Sequence, residues 1–434
     1  MSPELIALAF FGLLILLIMS GLPIAFSLAG ISIVMTLFIL GPKALFGVFY
    51  DAYGTGTNFI LVAVPLFIFM ANMLETAGIA TKLYDTMYHW LRSIPGGLAS
   101  GTIVICAIFA AMAGISGVAT ITMGLIALPS MLKHHYDKRL VVGSIMAGGA
   151  LGILIPPSII AILYGSITGT SIGKLFMGGM IPGIILSILF VCYITIKCFV
   201  QPHVAPPSRE RSTWHERVTS LKSLIVPLLL VVAVLGSLYT GICTPTESAS
   251  IGAVGSMICA AVYRNLTWEN LKVAVMRCLR ISCMAIWIVF GATCFKGIYI
   301  STGASEFMLS LVSWIDIPPL GIIGIMMFIY LILGMFLDPV GQIMLTMPVF
   351  FPIVDALGFD PVWFGILFII NSEMDYLTPP FGFNLFYMKS IAPSSITMGD
   401  IYRSVTPFVI LQAICLVLVM FFPNLALWLP NTMR

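Results

Sequence analysis

The chain alternates between apolar runs of about 20 residues and short polar breaks, and a helix of that length crosses roughly 30 Å of hydrocarbon. Runs near 4–20, 22–41, 59–79, 177–199, 222–242, 247–263, 282–301 and 405–425 each predict one membrane span. Two longer apolar tracts, 96–168 and 320–390, are interrupted by Gly and Pro. Segments near 81–94 and 267–280 mix basic, aromatic and apolar positions and are expected to lie as helices in the interface. The first run begins at Leu5 after Glu4, with no Lys or Arg before it. A secretory leader wants a basic start, so this run is expected to stay as a span.

The interrupted tracts repeat one another. LPSMLKHHYDKRLVVGSIMAGGALGILIPPSIIAILYG, from Leu128, registers on FPIVDALGFDPVWFGILFIINSEMDYLTPPFGFNLFYM, from Phe351, at a displacement of 223 positions without a gap. Pro129 falls on Pro352, Asp137 on Asp360, the pair Pro156-Pro157 on Pro379-Pro380, and Tyr164 on Tyr387. The stretch GLPIAFSLAG from Gly21 falls on TPTESASIGA from Thr244 in the same way. A double Pro and a loop Asp recurring in order mark an internal two-fold repeat. Its units are residues 1–200 and 218–434, joined by the polar linker 201–217. Each unit holds three spans, an interrupted segment (96–134 or 320–354), a broken helix (138–168 or 361–388) and a last span.

Positive charge bears on the orientation. If each interrupted segment is a re-entrant hairpin, a unit crosses the membrane five times and the second unit is inverted. With the N-terminus outside, sixteen of the twenty Lys and Arg then fall inside. Lys43, Lys174 and Arg434 fall outside, and Lys296 sits within a span, where it is expected to snorkel. That is a strong positive-inside bias, and it dissolves if the interrupted segments cross once. Sequence thus predicts an all-α integral membrane protein with an inverted repeat, two re-entrant hairpins and two broken helices.

Composition excludes most other classes. Hydrophobic residues make up 60% of the chain and charged residues 9%, against about 25% charged in soluble domains. The nine cysteines form no CxxC pair or Cys/His cluster and read as small packing residues. No GxxxxGK[ST] phosphate loop is present, which argues against direct ATP coupling. A nucleophile with its base is not visible either, so an enzyme is not expected, and neither is a nucleic-acid partner.

Candidate chemistry lies where backbone polar groups cannot be left to lipid. Four such places occur: the tips Gly114 to Gly117 and Asp338 to Gly341, and the breaks Gly152 to Ser158 and Tyr376 to Gly382. In inverted-repeat transporters, paired breaks meet near the midplane, where free carbonyls bind Na⁺ and helix N-termini face an anionic solute. The plainer alternative is that these prolines only kink packed helices. Ionisable groups inside the membrane are functional candidates by default. Asp338 is the foremost, and Glu373 and Asp375 follow Asn371 and Ser372 on the second broken helix. Equally open are a Glu373 held by a neighbouring backbone group and an Asp375 pointing to an outer aqueous cavity. Glu247, with Thr246 in TPTESA, is expected to favour a helix start.

Taken together, GLPIAFSLAG, VPLFIFMANMLETAGIA, GISGVATITM, GGALGILIPPS, TPTESASIGA, the Asp-Pro at the second tip, and N-x-E followed by TPPFGFNLF make the chain resemble one family over nearly its whole length. That family is the large membrane subunit (DctM type) of tripartite ATP-independent periplasmic, or TRAP, transporters. The resemblance implies an elevator mechanism driven by Na⁺ in a bacterial inner membrane, with both termini periplasmic. It also implies a small DctQ-type membrane subunit and a DctP-type periplasmic binding protein that delivers a small carboxylate or sulfonate. By match to the motifs, one Na⁺ site forms from Ser116, Gly117 and the Gly152–Pro156 break, and a second from Asp338, Gly341 and the Thr378–Pro379 break. Ser158, Asn371, Glu373, Asp375 and Gly382 are the candidate substrate residues. Family members often carry Gly where this chain has Asp375, and smaller residues than Phe381 and Phe383. A carboxylate there would favour a zwitterionic or amine-bearing solute. The alternative to a tripartite system is a stand-alone Na⁺-coupled transporter; a channel is the rival from another class.

Overall fold

Every apolar run becomes helix because an apolar environment leaves the backbone no other partner for its N–H and C=O groups. The computed structural model describes residues 3–207, 212–313 and 317–433, among which there is no strand. Arg209, Arg211 and Arg434, which entered the charge argument, lie outside the described residues, as does part of the linker. The first half holds α1 (Pro3–Met19), α2 (Ile24–Met35), α3 (Leu45–Gly56), α4 (Ala63–Thr76), α5 (Ile79–Leu91), α6 (Gly97–Ala113), α7 (Ser116–Lys133), α8 (Lys138–Ala150), α9 (Ile159–Thr168) and α10 (Ile172–Val200). The second half holds α11 (Trp214–Tyr239), α12 (Pro245–Val262), α13 (Trp268–Ser301), α14 (Ala304–Ser313), α15 (Pro319–Gly334), α16 (Pro339–Ala356), α17 (Pro361–Asp375), α18 (Phe383–Ile391), α19 (Met398–Phe421) and α20 (Asn424–Asn431). Seven of the described helical stretches are long and apolar enough to cross a membrane unaided.

One expectation fails. The segment 267–280 is not a separate interfacial helix. It is the first part of α13, which runs unbroken for 34 residues, a length of about 51 Å. No Pro interrupts it and its first Gly comes only at 291, so the basic turn around Arg277 and Arg280 propagates into the apolar run. Arg277 reaches Glu75 of α4 at 2.9 Å. By contrast α5 is a separate amphipathic helix, with Ile79, Leu83 and Tyr84 buried and Lys82 held 4.1 Å over the Tyr263 ring.

Two sets of close helix contacts stand out, with α5 packing on both α6 and α11 between them. In one, α13 lies against α2, α3 and α4, and α12 against α4 and α11. Small residues set these crossings. A Cβ on Gly291 would fall 2.5 Å from the Ala25 carbonyl oxygen, and one on Gly252 would fall 2.6 Å from Met70 Sδ. In the other group, α6, α7 and α8 pack together, α17 packs on α15 and α19, and α18 packs on α7. Elements recur here at the spacing of the sequence repeat: α16 begins 223 residues after α7, and α17 begins 223 after α8.

Capping fixes where the helices start. Asp137 and Asp360 cap α8 and α17 alike, each accepting two backbone N–H bonds through Oδ1. Glu247 favours the start of α12 as expected, but it closes its capping box with Thr244 and not Thr246: Thr244 N donates to Glu247 Oε2 at 2.7 Å and Glu247 N to Thr244 Oγ1 at 3.3 Å. Lys296, near the C-terminal end of α13, donates to the carbonyl of Ile167 at the end of α9 at 2.8 Å, and lies beside Asp51 of α3.

Candidate functional site

The two tips and the two breaks come together as tip on break. Between α6 and α7 only Gly114 and Ile115 leave the helix; Ile115 is extended and the next turn begins at Ser116. This short tip lies on the first break. A Cβ on Gly114 would sit 2.5 Å from the Pro157 carbonyl oxygen, and one on Gly152 would sit 3.3 Å from the Ile115 carbonyl. Two non-helical backbones therefore touch inside an apolar bundle. At the second tip, Asp338 caps α16 by accepting from Gly341 N at 3.3 Å. Just before this tip the last residue of α15, Gly334, lies on the last residue of α17, next to the second break: a Cβ on Gly334 would sit 1.9 Å from the Asp375 carboxyl carbon.

Each break restarts as a helix with its own N-terminus. Ser158 caps α9 through Ala161 N at 3.3 Å and also donates to the Ile153 carbonyl. Gly382 precedes α18, and a Cβ there would meet the carbonyl oxygens of Tyr376, Thr378 and Asp375 within 2.8–3.1 Å. Only a residue without a side chain allows those carbonyls to converge so closely. Thr378 donates its hydroxyl to the Met374 carbonyl at 2.8 Å. The oxygens gathered at the two sites are hydroxyl, carbonyl and carboxylate, the hard donors that suit a hard cation.

The first tip is also tied to the second broken helix. Ser116 Oγ lies 3.0 Å from Asn384 Oδ1 and 2.9 Å from Asn384 Nδ2, and that amide also reaches the Met146 carbonyl at 3.2 Å. Gly117 gives room to the Tyr387 ring, which would lie 2.7 Å from a Cβ. The sequence reading named Tyr387 only as the repeat partner of Tyr164 and did not single out Asn384. An amide inside an apolar run was the available signal, since such groups are kept in membranes for a partner. Replacing Asn384 with Ala leaves a buried Ser116 hydroxyl and the Met146 carbonyl without that partner. Thermal unfolding is expected to show a loss of roughly 1–3 kcal/mol, and Ser116→Ala a smaller one. Equal unfolding midpoints for Asn384→Ala and the unaltered protein would show that the amide ties nothing.

The remaining candidates point elsewhere. Asn371 donates to the Met327 carbonyl of α15 at 2.5 Å. Glu373 is fully buried, its carboxyl group lies beside the side chain of Gln412 of α19, and its backbone carbonyl accepts from Gln412 Nε2 at 3.3 Å. No backbone group holds its side chain. Asp375 does not face an aqueous cavity: it is 2% exposed and accepts from Gln342 Nε2 at 2.8 Å. Gln342, on the second tip, is a further residue the sequence reading passed over.

Comparison with known proteins places this arrangement. Residues 11–425 match the family described as "Tripartite ATP-independent periplasmic transporter, DctM component". The chain is 32% identical over 403 residues to the C4-dicarboxylate TRAP transporter large permease protein DctM of Pseudomonas aeruginosa, covering 93% of each chain. It is 30% identical to the ectoine TRAP transporter large permease protein TeaC of Halomonas elongata, covering 85% of this chain and 86% of that one. Among solved structures, the Alcanivorax borkumensis YdaH transporter superposes with a TM-score of 0.67 at 13% identity, covering 97% of this chain and 99% of that one. At that identity the likeness is one of fold.

Proposed function

Because this chain belongs to the DctM family of tripartite ATP-independent periplasmic transporters, we propose that its paired tips and breaks couple the entry of Na⁺ to the import of a small organic acid. The observation that carries this reading is the backbone contact of tip on break, Gly114 on Pro157 and Gly152 on Ile115. Exposed peptide groups deep in an apolar bundle are costly unless a ligand uses them. In this reading the two halves are inverted repeats, the segments 96–134 and 320–354 are re-entrant hairpins, and the group holding them moves as an elevator against the group built on α13.

One Na⁺ is held by Ser116, Gly117 and the Gly152–Pro156 carbonyls, and the other by Asp338, Gly341 and the Thr378–Pro379 turn. The solute anion lies at the N-termini of α9 and α18, at Ser158 and Gly382, where free N–H groups and the helix dipole favour negative charge. Asn371, Glu373 and Asp375 shape the helix behind that site. The proteins whose names specify a solute carry C4-dicarboxylate, isethionate, ectoine and sialic acid, so the solute proposed here is a small carboxylate or sulfonate. A periplasmic binding protein delivers it and a small membrane subunit braces the permease; a relative in Oleidesulfovibrio alaskensis is named as a DctMQ permease. One charge moving down 100 mV contributes about 2.3 kcal/mol, which makes accumulation by two Na⁺ feasible.

The test is uptake of labelled succinate, isethionate, ectoine and sialic acid into proteoliposomes holding both membrane subunits. Uptake is expected only with a cognate binding protein outside and an inward Na⁺ gradient. Equal uptake in potassium medium would remove the coupling ion, uptake without the binding protein would favour the stand-alone transporter, and Na⁺ current without solute would favour a channel.

A further inference from the structure

We propose that a basic cleft between α8, α10 and α19 holds the phosphate headgroup of an anionic phospholipid. The cleft measures about 540 Å³ and its walls carry Arg139, Lys197, His203 and Arg403, with Asp137 as the lone carboxylate among its lining residues. Asp137 spends Oδ1 on the backbone N–H groups of Arg139 and Leu140. The cations are weakly paired. Arg139 Nε stands 3.5 Å from Asp400, which Lys138 already holds at 2.6 Å. Lys197 donates to a neutral oxygen, the Tyr193 hydroxyl, at 3.2 Å. Arg403 has no hydrogen bond or ion pair among the described residues. Three permanent cations facing one carboxylate call for an anion, and the guanidinium fork matches phosphate oxygens.

The same phosphate chemistry could arrive as a free ion, and the walls decide for a lipid. Phe408, Tyr193 and Ile410 close the apolar side of the cleft. Beyond it, Ile410, Ile414 and Val417 of α19 and Ile196 and Phe199 of α10 are exposed, on two helices long and apolar enough to cross a membrane. A headgroup seated on the cations would lay its acyl chains along that surface, and a free phosphate has no use for it. Basic pockets flanked by membrane helices bind anionic headgroups for this reason.

Native mass spectrometry on the full chain tests this with phosphatidylglycerol and phosphatidylcholine of equal acyl composition. The unaltered protein is expected to retain phosphatidylglycerol preferentially. Each charge removed in the double variant Lys197→Gln/Arg403→Gln should weaken that retention about fivefold. Arg139 is left in place because it touches Asp400, and both substituted side chains reach the surface, so the unfolding midpoint in phosphatidylcholine should not move. Equal retention of the two lipids by the unaltered protein, or an undiminished preference in the double variant, would overturn the proposal. Displacement of the lipid by inorganic phosphate at equal concentration would overturn it in favour of a soluble anion.

Discussion

Gly114→Ala is expected to destabilise the protein by roughly 2–5 kcal/mol and to remove transport. Two separate costs add. Gly114 has φ +63°, a left-handed backbone that costs a residue with a Cβ about 1–2 kcal/mol. The new methyl also falls 2.5 Å from the Pro157 carbonyl oxygen. That atom belongs to backbone wedged between α8 and α9, so it cannot swing aside, and overpacking of this kind costs about 1–3 kcal/mol. Gly169 supplies the control. Its φ is +75°, and no atom lies within 4 Å of where its Cβ would be. Gly169→Ala therefore carries the backbone cost alone, about 1–2 kcal/mol. Thermal unfolding of the two purified variants separates the terms. If they lose the same stability, the tip does not press on the break and the site is looser than described.

The second large effect concerns the other tip, and it should be reversible. A methyl on Gly334 would lie 1.9 Å from the carboxyl carbon of Asp375 and 2.1 and 2.2 Å from its oxygens. Gly334→Ala must therefore push the second tip off the second break, or turn Asp375 away and break its 2.8 Å bond from Gln342. Overpacking and the loss of one of the two bonds the Gln342 amide makes, the other going to the Leu337 carbonyl at 3.4 Å, together cost roughly 2–5 kcal/mol, and uptake should fall with stability. Asp375→Gly removes the obstructing carboxylate. The double variant Gly334→Ala/Asp375→Gly should recover most of the loss, keeping only the cost of one unpaired Gln342 N–H, about 1 kcal/mol, since the amide still reaches the Leu337 carbonyl. Such non-additivity marks direct contact. Additive losses would mean that the two residues do not meet. Uptake by Asp375→Gly alone also reads the solute question: unchanged preference between succinate and ectoine would show that the carboxylate plays no part in selection.

These two variants rest on contacts of different legibility. The tips and breaks themselves were visible in the sequence, because Gly and Pro in an apolar run interrupt a helix wherever they fall. The helix starts act locally too, since Asp137, Asp360 and the Thr244–Glu247 pair bond N–H groups two or three residues away; of these the sequence reading named only Glu247 as a helix start, with Thr246 in place of Thr244. What went unread depended on distance along the chain. Asn384 meets Ser116 across 268 positions, and Gln342 meets Asp375 across the second tip. Both amides stood in the sequence as polar residues in apolar surroundings, but nothing local names the partner. The continuity of α13 was missed for the opposite reason: its charged first turns resemble an interfacial helix, and only the absence of a breaker carries them into the span.

The sequence alone determined that this chain is helical, membrane-embedded, doubled at a spacing of 223 residues and broken at four places, since hydrophobic length, missing N–H groups and capping are properties of neighbouring residues. The tertiary structure alone decided that Asp375 turns to Gln342, that Asn371 and Glu373 face α15 and α19, and that bare glycines let backbone lie on backbone at the first tip. Those outcomes follow from which helix surfaces pack together. In a medium that rewards no exposed polar group, each buried donor takes the acceptor that packing brings within reach.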